Sequence, residues 1–194
     1  KLPAGTELYD FDALGFGETI PDSVSMVEYA PYPGNQGRYA TCVGWAYGYC
    51  ATSILYAQKF NIKNRMVTTA LAMCPFSIYN KIKESYDSRC SMGTHMHLAA
   101  RELRKNGTKR FHLNEIGCGE STIRDTVYRI FKVDHTYAIW DNYQEKTSTE
   151  ALKILNTKKA LAAKKPVLIG FITTASFCYD IRRRDGFWDK NLNR

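Results

Sequence analysis

The most informative stretch of the chain runs Gly34-Asn35-Gln36-Gly37-Arg38-Tyr39-Ala40-Thr41-Cys42-Val43-Gly44-Trp45-Ala46. Two glycines flank its polar first part, which predicts a loop, and the apolar residues from Cys42 onward predict a buried helix. The first backbone N–H groups of a helix lack intrahelical partners and, together with the helix dipole, favour a thiolate. The stretch therefore predicts a nucleophilic cysteine at position 42.

A glutamine in the same loop is the second candidate. Gln36 precedes Cys42 by six residues, so its side-chain amide can fold back beside the sulfur. With the backbone N–H of Cys42 it would supply two donors to the oxyanion of a carbonyl under attack. The alternative is that Cys42 is a structural cysteine that opens a helix.

Composition limits the protein class. The chain has 194 residues, 44% of them hydrophobic, and a formal net charge of +8, which indicates one globular domain or two small lobes sharing a core. Its longest apolar run, residues 167–172, is too short to span a membrane. The one basic run, Arg182 to Arg184, is interpreted as a solvated turn, so no nucleic-acid partner is expected. No CxxC pair is present, and neither a metal nor another cofactor is expected.

Helical periodicity dominates the first half of the chain. After a loop-rich lead-in over residues 1–35, helices are predicted from Cys42, from Pro75, and from a Gly93-Thr94 cap to Gly107. A set of residues at helical spacing is predicted to form the buried stripe of the first helix: Val43, Ala46, Tyr47, Cys50, Ile54 and Ala57.

The second half predicts a helix and then a strand. Residues 149–165 read as a helix that Pro166 stops, and residues 167–172 read as a buried strand because of their β-branched content. Helices first and strands late favour an α+β protein with two segregated lobes.

Three motifs together resemble the start of the papain-like cysteine peptidases (family C1), in their bacterial-type branch. They are Ile-Pro-Asp-Ser-Val at 20–24, Asn-Gln-Gly at 35–37 and Cys-Val-Gly-Trp-Ala at 42–46. The resemblance implies a papain-like two-lobe α+β fold, here incomplete, over residues 20–194, after a 1–19 N-terminal extension or propeptide remnant. It also implies that Cys42 is the nucleophile and that Gln36 belongs to the oxyanion hole.

A weaker resemblance covers Cys90 to Gly93, which matches the family segment that holds the substrate backbone. It implies substrate contacts at Met92 and Gly93; the alternative is a helix-entry turn with a packed methionine. Many members bridge this cysteine to one three residues before the nucleophile, but Tyr39 stands there in this chain. Cys90 with Cys118 is then a candidate pair, and the other reading leaves all six thiols free.

The family's catalytic histidine has no match in the chain. It is expected about 130–150 residues after the cysteine, and residues 172–192 contain none. His135 sits in a similar small-residue context but precedes the segment that matches the family's strand before the histidine, so we interpret it as a coincidence. We interpret His95 and His97 as ordinary polar residues beside a helix start, and His112 is assigned no role.

The resemblance therefore predicts that the histidine and its orienting asparagine lie beyond Arg194. Three explanations are open: a second chain produced by cleavage there, a C-terminal part that is lost or excluded, or a natural truncation. We favour the second chain. The expected function is a secreted or periplasmic endopeptidase acting on peptides or proteins, and the alternative is a catalytically incomplete peptide-binding domain.

Overall fold

The computed structural model describes residues 7–8, 20–111, 117–119, 130–139 and 150–171. The helices in these ranges are α1 (Cys42–Gly44), a π-helical section (Trp45–Thr52), α2 (Ser53–Lys59), α3 (Arg65–Ala70), α4 (Pro75–Ile82), α5 (Met96–Lys105) and α6 (Glu150–Ala162), with a 3-10 turn at Val27–Tyr29. Strands β1 (Glu7–Leu8) and β2 (Tyr137–Ala138) pair in parallel. None of the helices described is long and apolar enough to cross a membrane.

The segment α1, the π-helical section and α2 follow one another without a break and form one helical unit over residues 42–59, the central helix. Two glycines bring it close to α4. A Cβ atom at Gly44 would lie 2.5 Å from the carbonyl oxygen of Pro75, and one at Gly48 would lie 3.1 Å from the carbonyl oxygen of Cys74. The two helices approach closely because neither glycine has a side chain to hold them apart.

The core lies where α4 and α5 pack together beside the central helix. Its buried members are Ile78, Ala99, Leu103 and Val133, and Val43 and Tyr47 of the central helix pack against them. These residues come from the helical first half and from the segment before β2. The helical first half is as predicted for the described residues, and the arrangement in two lobes stays a prediction.

The predicted buried stripe of the central helix is partly wrong. Cys50 is exposed, whereas its neighbours Tyr49 and Ala51 are buried. The prediction assumed 3.6 residues per turn. The eight-residue π-helical section has more residues per turn, so the residues after it lie at different positions around the helix axis. Ala57 is fully buried, as predicted.

Of the two predicted helix starts at α4 and α5, the first is confirmed and the second is wrong. Pro75 occupies the first turn of α4, as predicted, and Ile78 and Tyr79 of that helix are fully buried. The predicted Gly93-Thr94 cap of α5 is wrong, because His95 is the residue that precedes the helix, and the Thr94 hydroxyl instead donates to the carbonyl oxygen of Ile82 over 3.0 Å. The helix predicted over residues 149–165 is confirmed with shorter bounds.

The strand predicted over residues 167–172 is wrong as far as residue 171, where the description ends. Residues 167–171 form no strand, and Ile169 and Phe171 are more than half exposed. Strand preference largely measures packing against neighbouring strands, and the only strand ladder among the described residues joins β1 to β2. Arg182 to Arg184 and His112 lie outside the described residues.

Candidate active site

Cys42 is the first residue of the central helix, and its side chain is exposed. The residue before it, Thr41, is completely buried, and its carbonyl oxygen accepts a 3.0 Å hydrogen bond from the backbone N–H of Trp45. That bond closes the first helical turn. The helix begins at Cys42, as the sequence predicted, and the thiol lies at the surface.

The loop before the cysteine is held by its own polar groups. The Asn35 side chain accepts a 2.7 Å hydrogen bond from the backbone N–H of Gly37, whose positive φ of 66° suits a glycine. Gln36 is half-buried, and its side-chain amide donates to the carbonyl oxygen of Tyr39. The Gln36 amide thus bonds within the loop that precedes Cys42, and its place beside the Cys42 sulfur stays a prediction.

An aromatic contact occupies the position where the family often has a bridging cysteine. The ring of Tyr39 packs edge-on against Phe76 of α4, with ring centroids 5.7 Å apart. The loop is therefore joined to α4 by ring packing at this position. The sequence showed the departure at Tyr39 but gave no sign of its partner.

Residues 90–93, which we call the ledge, lie beside this loop. The backbone N–H of Ala40 donates a 2.7 Å hydrogen bond to the carbonyl oxygen of Cys90, and Cys90 forms a disulfide with Cys118. The candidate pairing made from sequence is confirmed. Met92 is 58% exposed, so the alternative of a packed methionine is wrong. The structure places the two predicted substrate contacts, Met92 and Gly93, next to the loop that leads into Cys42.

Asp87 and Tyr79, to which the sequence analysis assigned no role, bond to the ledge. The Asp87 carboxylate, almost fully buried, accepts the backbone N–H of Ser91 over 2.9 Å and the Tyr79 hydroxyl over 2.8 Å. Burial by itself would raise the pKa of Asp87, but the hydrogen bonds from Ser91, Tyr79 and Met92 and the charge of Lys83 outweigh it and lower that pKa. The only sequence feature that could have indicated this role is that Asp87 precedes Cys90 by three residues.

Tyr79 connects the ledge to the central helix. Its hydroxyl also lies 3.3 Å from the carbonyl oxygen of Gly93, and its Cβ would be 3.2 Å from a Cβ placed at Gly44. Burial, then the Asp87 carboxylate, raises the pKa of Tyr79 to about 12, so the hydroxyl remains a donor at neutral pH. The Cys42 sulfur is close enough to add to that rise.

The other described thiols differ from Cys42. Cys74 is fully buried, its sulfur accepts the backbone N–H of Ser77, and burial raises its pKa to about 11. Cys50 is an exposed residue within the π-helical section, away from the helix start, and partial burial of its thiol raises the pKa. In the described part of the chain, Cys42 is the one exposed free thiol at the beginning of a helix.

The described histidines are His95 and His97 at the start of α5, and His135 before β2. His95 and His97 flank the start of α5, both exposed, with rings stacked 5.5 Å apart, and His135 stacks on Tyr137 at 5.7 Å. Burial, then the charges of His95 and Arg101, lowers the pKa of His97. No hydrogen bond joins any of these three to Cys42 within the described ranges, and these ranges hold no cluster of three or more potential metal ligands.

Comparison with known proteins adds no assignment. No family model, no curated protein and no solved structure matches this chain. The candidate site is therefore defined by the geometry of Cys42, its loop and the ledge.

Proposed function

We propose that the chain is the cysteine-bearing portion of a papain-like cysteine peptidase that hydrolyses peptide bonds. One observation carries the proposal: the exposed thiol of Cys42 begins an anchored helix, directly after a loop that is hydrogen-bonded to the ledge through Ala40 and Cys90. A nucleophile with a fixed backbone edge beside it is the arrangement that peptide cleavage requires. The motifs at 20–24, 35–37 and 42–46 support the same function.

The proposed reaction has two stages. The Cys42 thiolate attacks the scissile carbonyl carbon, the new S–C bond forms, and the carbonyl π electrons move onto oxygen. The backbone N–H of Cys42 and the Gln36 amide stabilise that oxyanion; an amide nitrogen carries two hydrogens, so one can bond Tyr39 while the other bonds the oxyanion.

Collapse of the oxyanion breaks the C–N bond, and an imidazolium protonates the leaving amine. Water, deprotonated by the same imidazole, then attacks the thioester carbon and releases the acid and the free thiol. We propose that this histidine and the asparagine that orients it come from a segment or second chain beyond Arg194, because residues 172–192, where the resemblance places the histidine, contain none.

The proposed location is secreted or periplasmic. The disulfide between Cys90 and Cys118 supports it, because such bonds persist in oxidising compartments and are rare in reducing ones. The proposed partners are a peptide or protein substrate and the chain that carries the histidine.

The test is site-selective alkylation of the native protein with iodoacetamide at about pH 5.5, where an ordinary thiol is almost entirely protonated. The expected result is that Cys42 is modified at least about ten-fold faster than Cys50, the other exposed free thiol of the described residues. Peptide mapping by mass spectrometry assigns each modified residue, and Cys42→Ala removes the fast phase.

Equal rates at Cys42 and Cys50 would contradict the proposal. Cys50 lies on the same central helix but not at its start, and burial raises the pKa of its thiol. A short unstructured cysteine peptide alkylated in parallel therefore gives the rate of an ordinary thiol, and Cys42 is expected to exceed that rate as well. Hydrolysis of a denatured protein by the wild type, lost in Cys42→Ala, would extend the test from a reactive thiol to a peptidase.

A further inference from the structure

Beyond Cys90, the side chains of the ledge do not anchor it. The side chains of Ser91 and Met92 are exposed, and Cys90 and Gly93 have positive φ values of 51° and 76°. The disulfide fixes the ledge only at Cys90. Exposed residues in such a turn would sample many conformations unless other groups held their backbone.

Those other groups are Asp87 and Tyr79. One carboxylate oxygen of Asp87 accepts the N–H of Ser91 over 2.9 Å; the other accepts the Tyr79 hydroxyl over 2.8 Å and lies 3.5 Å from the N–H of Met92. The Tyr79 hydroxyl reaches Gly93 as well. The strongest tie is therefore that of Ser91 to Asp87; Met92 lies at the outer limit of a hydrogen bond, and Gly93 shares the single hydroxyl proton of Tyr79 with Asp87.

The pair is itself rigid. Tyr79 is fully buried on α4 and contacts the central helix at Gly44, two residues after Cys42 and within the same helical turn. The Lys83 side chain donates to the backbone carbonyl oxygen of Asp87 and fixes the turn from the other side. The ledge is thus held by contacts with α4 and the central helix, the same helices that position Cys42.

We infer that Asp87 and Tyr79 are positioning residues that hold the backbone of residues 91–93 in place for the backbone of a peptide substrate beside Cys42. The inference deepens the proposed function and rests on it. Neither residue touches the reacting atoms. Their effect is to remove the cost of ordering the ledge when a peptide binds, so they act on affinity and not on the reactivity of the thiol.

The test compares two alkylating probes on the full chain: iodoacetamide and a neutral N-iodoacetyl tripeptide amide. In both reactions the Cys42 sulfur bonds to the methylene carbon, the C–I bond breaks, iodide leaves with the electron pair, and the thiol proton goes to buffer. Only the peptide probe can use the ledge. Saturation kinetics, followed by intact mass, give a half-saturating concentration and a limiting rate for each probe.

The variants are Asp87→Asn and Tyr79→Phe, with Asp134→Asn as the matched control because Asp134 is exposed and the substitution changes the charge equally. An Asn at 87 can still accept one N–H but offers an amide nitrogen where the second acceptor stood. The expected result is a half-saturating concentration of the peptide probe raised about ten-fold in both variants, from lost preorganisation. The limiting rate and the iodoacetamide rate stay unchanged, and Asp134→Asn behaves as wild type.

An unchanged half-saturating concentration in the folded variants, or the absence of saturation with the wild type, overturns the inference. Failure of the proposed function is a different result, namely equal iodoacetamide rates at Cys42 and Cys50 in the wild type. Hydrogen exchange of the wild type provides a measurement that needs no variant: the Ser91 amide is expected to be protected although its side chain is exposed. Exchange of that amide at the rate of an unstructured chain also overturns the inference.

Discussion

The Tyr79 hydroxyl donates a 2.8 Å hydrogen bond to the buried carboxylate of Asp87, and thereby joins α4 to the turn that carries the ledge. The same hydroxyl lies 3.3 Å from the carbonyl oxygen of Gly93. A buried charged acceptor that satisfies several donors at once is stabilising only while it stays ionised. The ledge therefore depends on the protonation state of one carboxyl group.

Stability is expected to fall at acid pH through Asp87. Its pKa is lowered from an ordinary value of 3.8 in the folded protein, because its hydrogen bonds outweigh the effect of burial. A carboxyl with a lowered folded pKa contributes stability that is fully present above the unfolded pKa and is lost as pH falls through the folded pKa. Urea unfolding between about pH 7 and pH 2.5 measures this slope.

Asp87→Asn is expected to be less stable than wild type near neutral pH, and the difference between the two proteins should shrink below about pH 4. Asp134→Asn provides the control, since its exposed carboxyl has no such set of donors among the described contacts. Curves for wild type and Asp87→Asn that stay parallel across the whole pH range would show that Asp87 does not titrate with folding.

Two glycines of the central helix give a second prediction. A Cβ at Gly44 would lie 2.5 Å from the Pro75 carbonyl oxygen, closer than van der Waals contact allows, whereas the nearest atoms to a Cβ at Gly48 lie at 3.1 Å. Gly44→Ala is expected to lower the free energy of unfolding by about 1–3 kcal/mol through overpacking. Gly48→Ala should cost less, because the gain in helix propensity, about 1 kcal/mol, offsets a milder clash.

The two alanine variants are their own controls, since they place the same residue on the same helix four positions apart. Chemical denaturation by urea gives both free energies. A larger loss in Gly48→Ala than in Gly44→Ala would mean that the central helix can shift away from α4 at Pro75.

The sequence was sufficient to predict the elements that depend on local signals. Pro75 marks a helix start, Gly107 a helix end, and the loop-to-helix change at Cys42 places the thiol, because turns, caps and apolar periodicity are short-range properties. The pairing of Cys90 with Cys118 could be offered only as one alternative, since spacing alone does not fix connectivity.

The features that sequence reasoning missed depend on contacts between distant parts of the chain. Cys50 lies in a π-helical section, in the part of the central helix where Gly44 and Gly48 pack on α4. No local sequence pattern predicts such a section, so the exposure of Cys50 was missed. From sequence alone Asp87 is indistinguishable from a surface acid; in the fold it is buried, and the Tyr79 hydroxyl lies against its carboxylate. Residues 167–171 have strand composition, but composition cannot supply the neighbouring strand that a ladder needs.

The disulfide gives a third prediction. It closes a loop with a sequence separation of 28 between Cys90 and Cys118. Replacement of both cysteines by serine is expected to lower the free energy of unfolding by roughly 3–4 kcal/mol, because the unfolded chain regains the entropy of that loop. Cys50→Ser, at an exposed free thiol, is the control and should stay within about 0.5 kcal/mol of wild type.

Urea unfolding of the oxidised protein, the reduced protein and the double serine variant provides the measurement. The reduced protein and the variant should agree with each other. Equal stability of the oxidised and reduced proteins would contradict the prediction and would leave the hydrogen bonds of Asp87 as the main anchor of the ledge.

The last prediction separates two effects of the Gln36 amide, which donates to the Tyr39 carbonyl oxygen within the loop before Cys42. Gln36→Glu keeps the size of the side chain but removes its donors, so both the loop bond and the proposed oxyanion bond are lost. Gln58→Glu is the matched control, because the Gln58 amide also donates to a backbone carbonyl, that of Lys164, over 3.0 Å.

On peptide hydrolysis by the assembled enzyme, Gln36→Glu is expected to lower kcat about 100-fold with little change in KM, since the oxyanion forms only in the transition state. Similar losses of thermal stability in both variants, with kcat reduced only in Gln36→Glu, would assign the effect to the oxyanion; a kcat within about two-fold of wild type would remove Gln36 from the proposed mechanism.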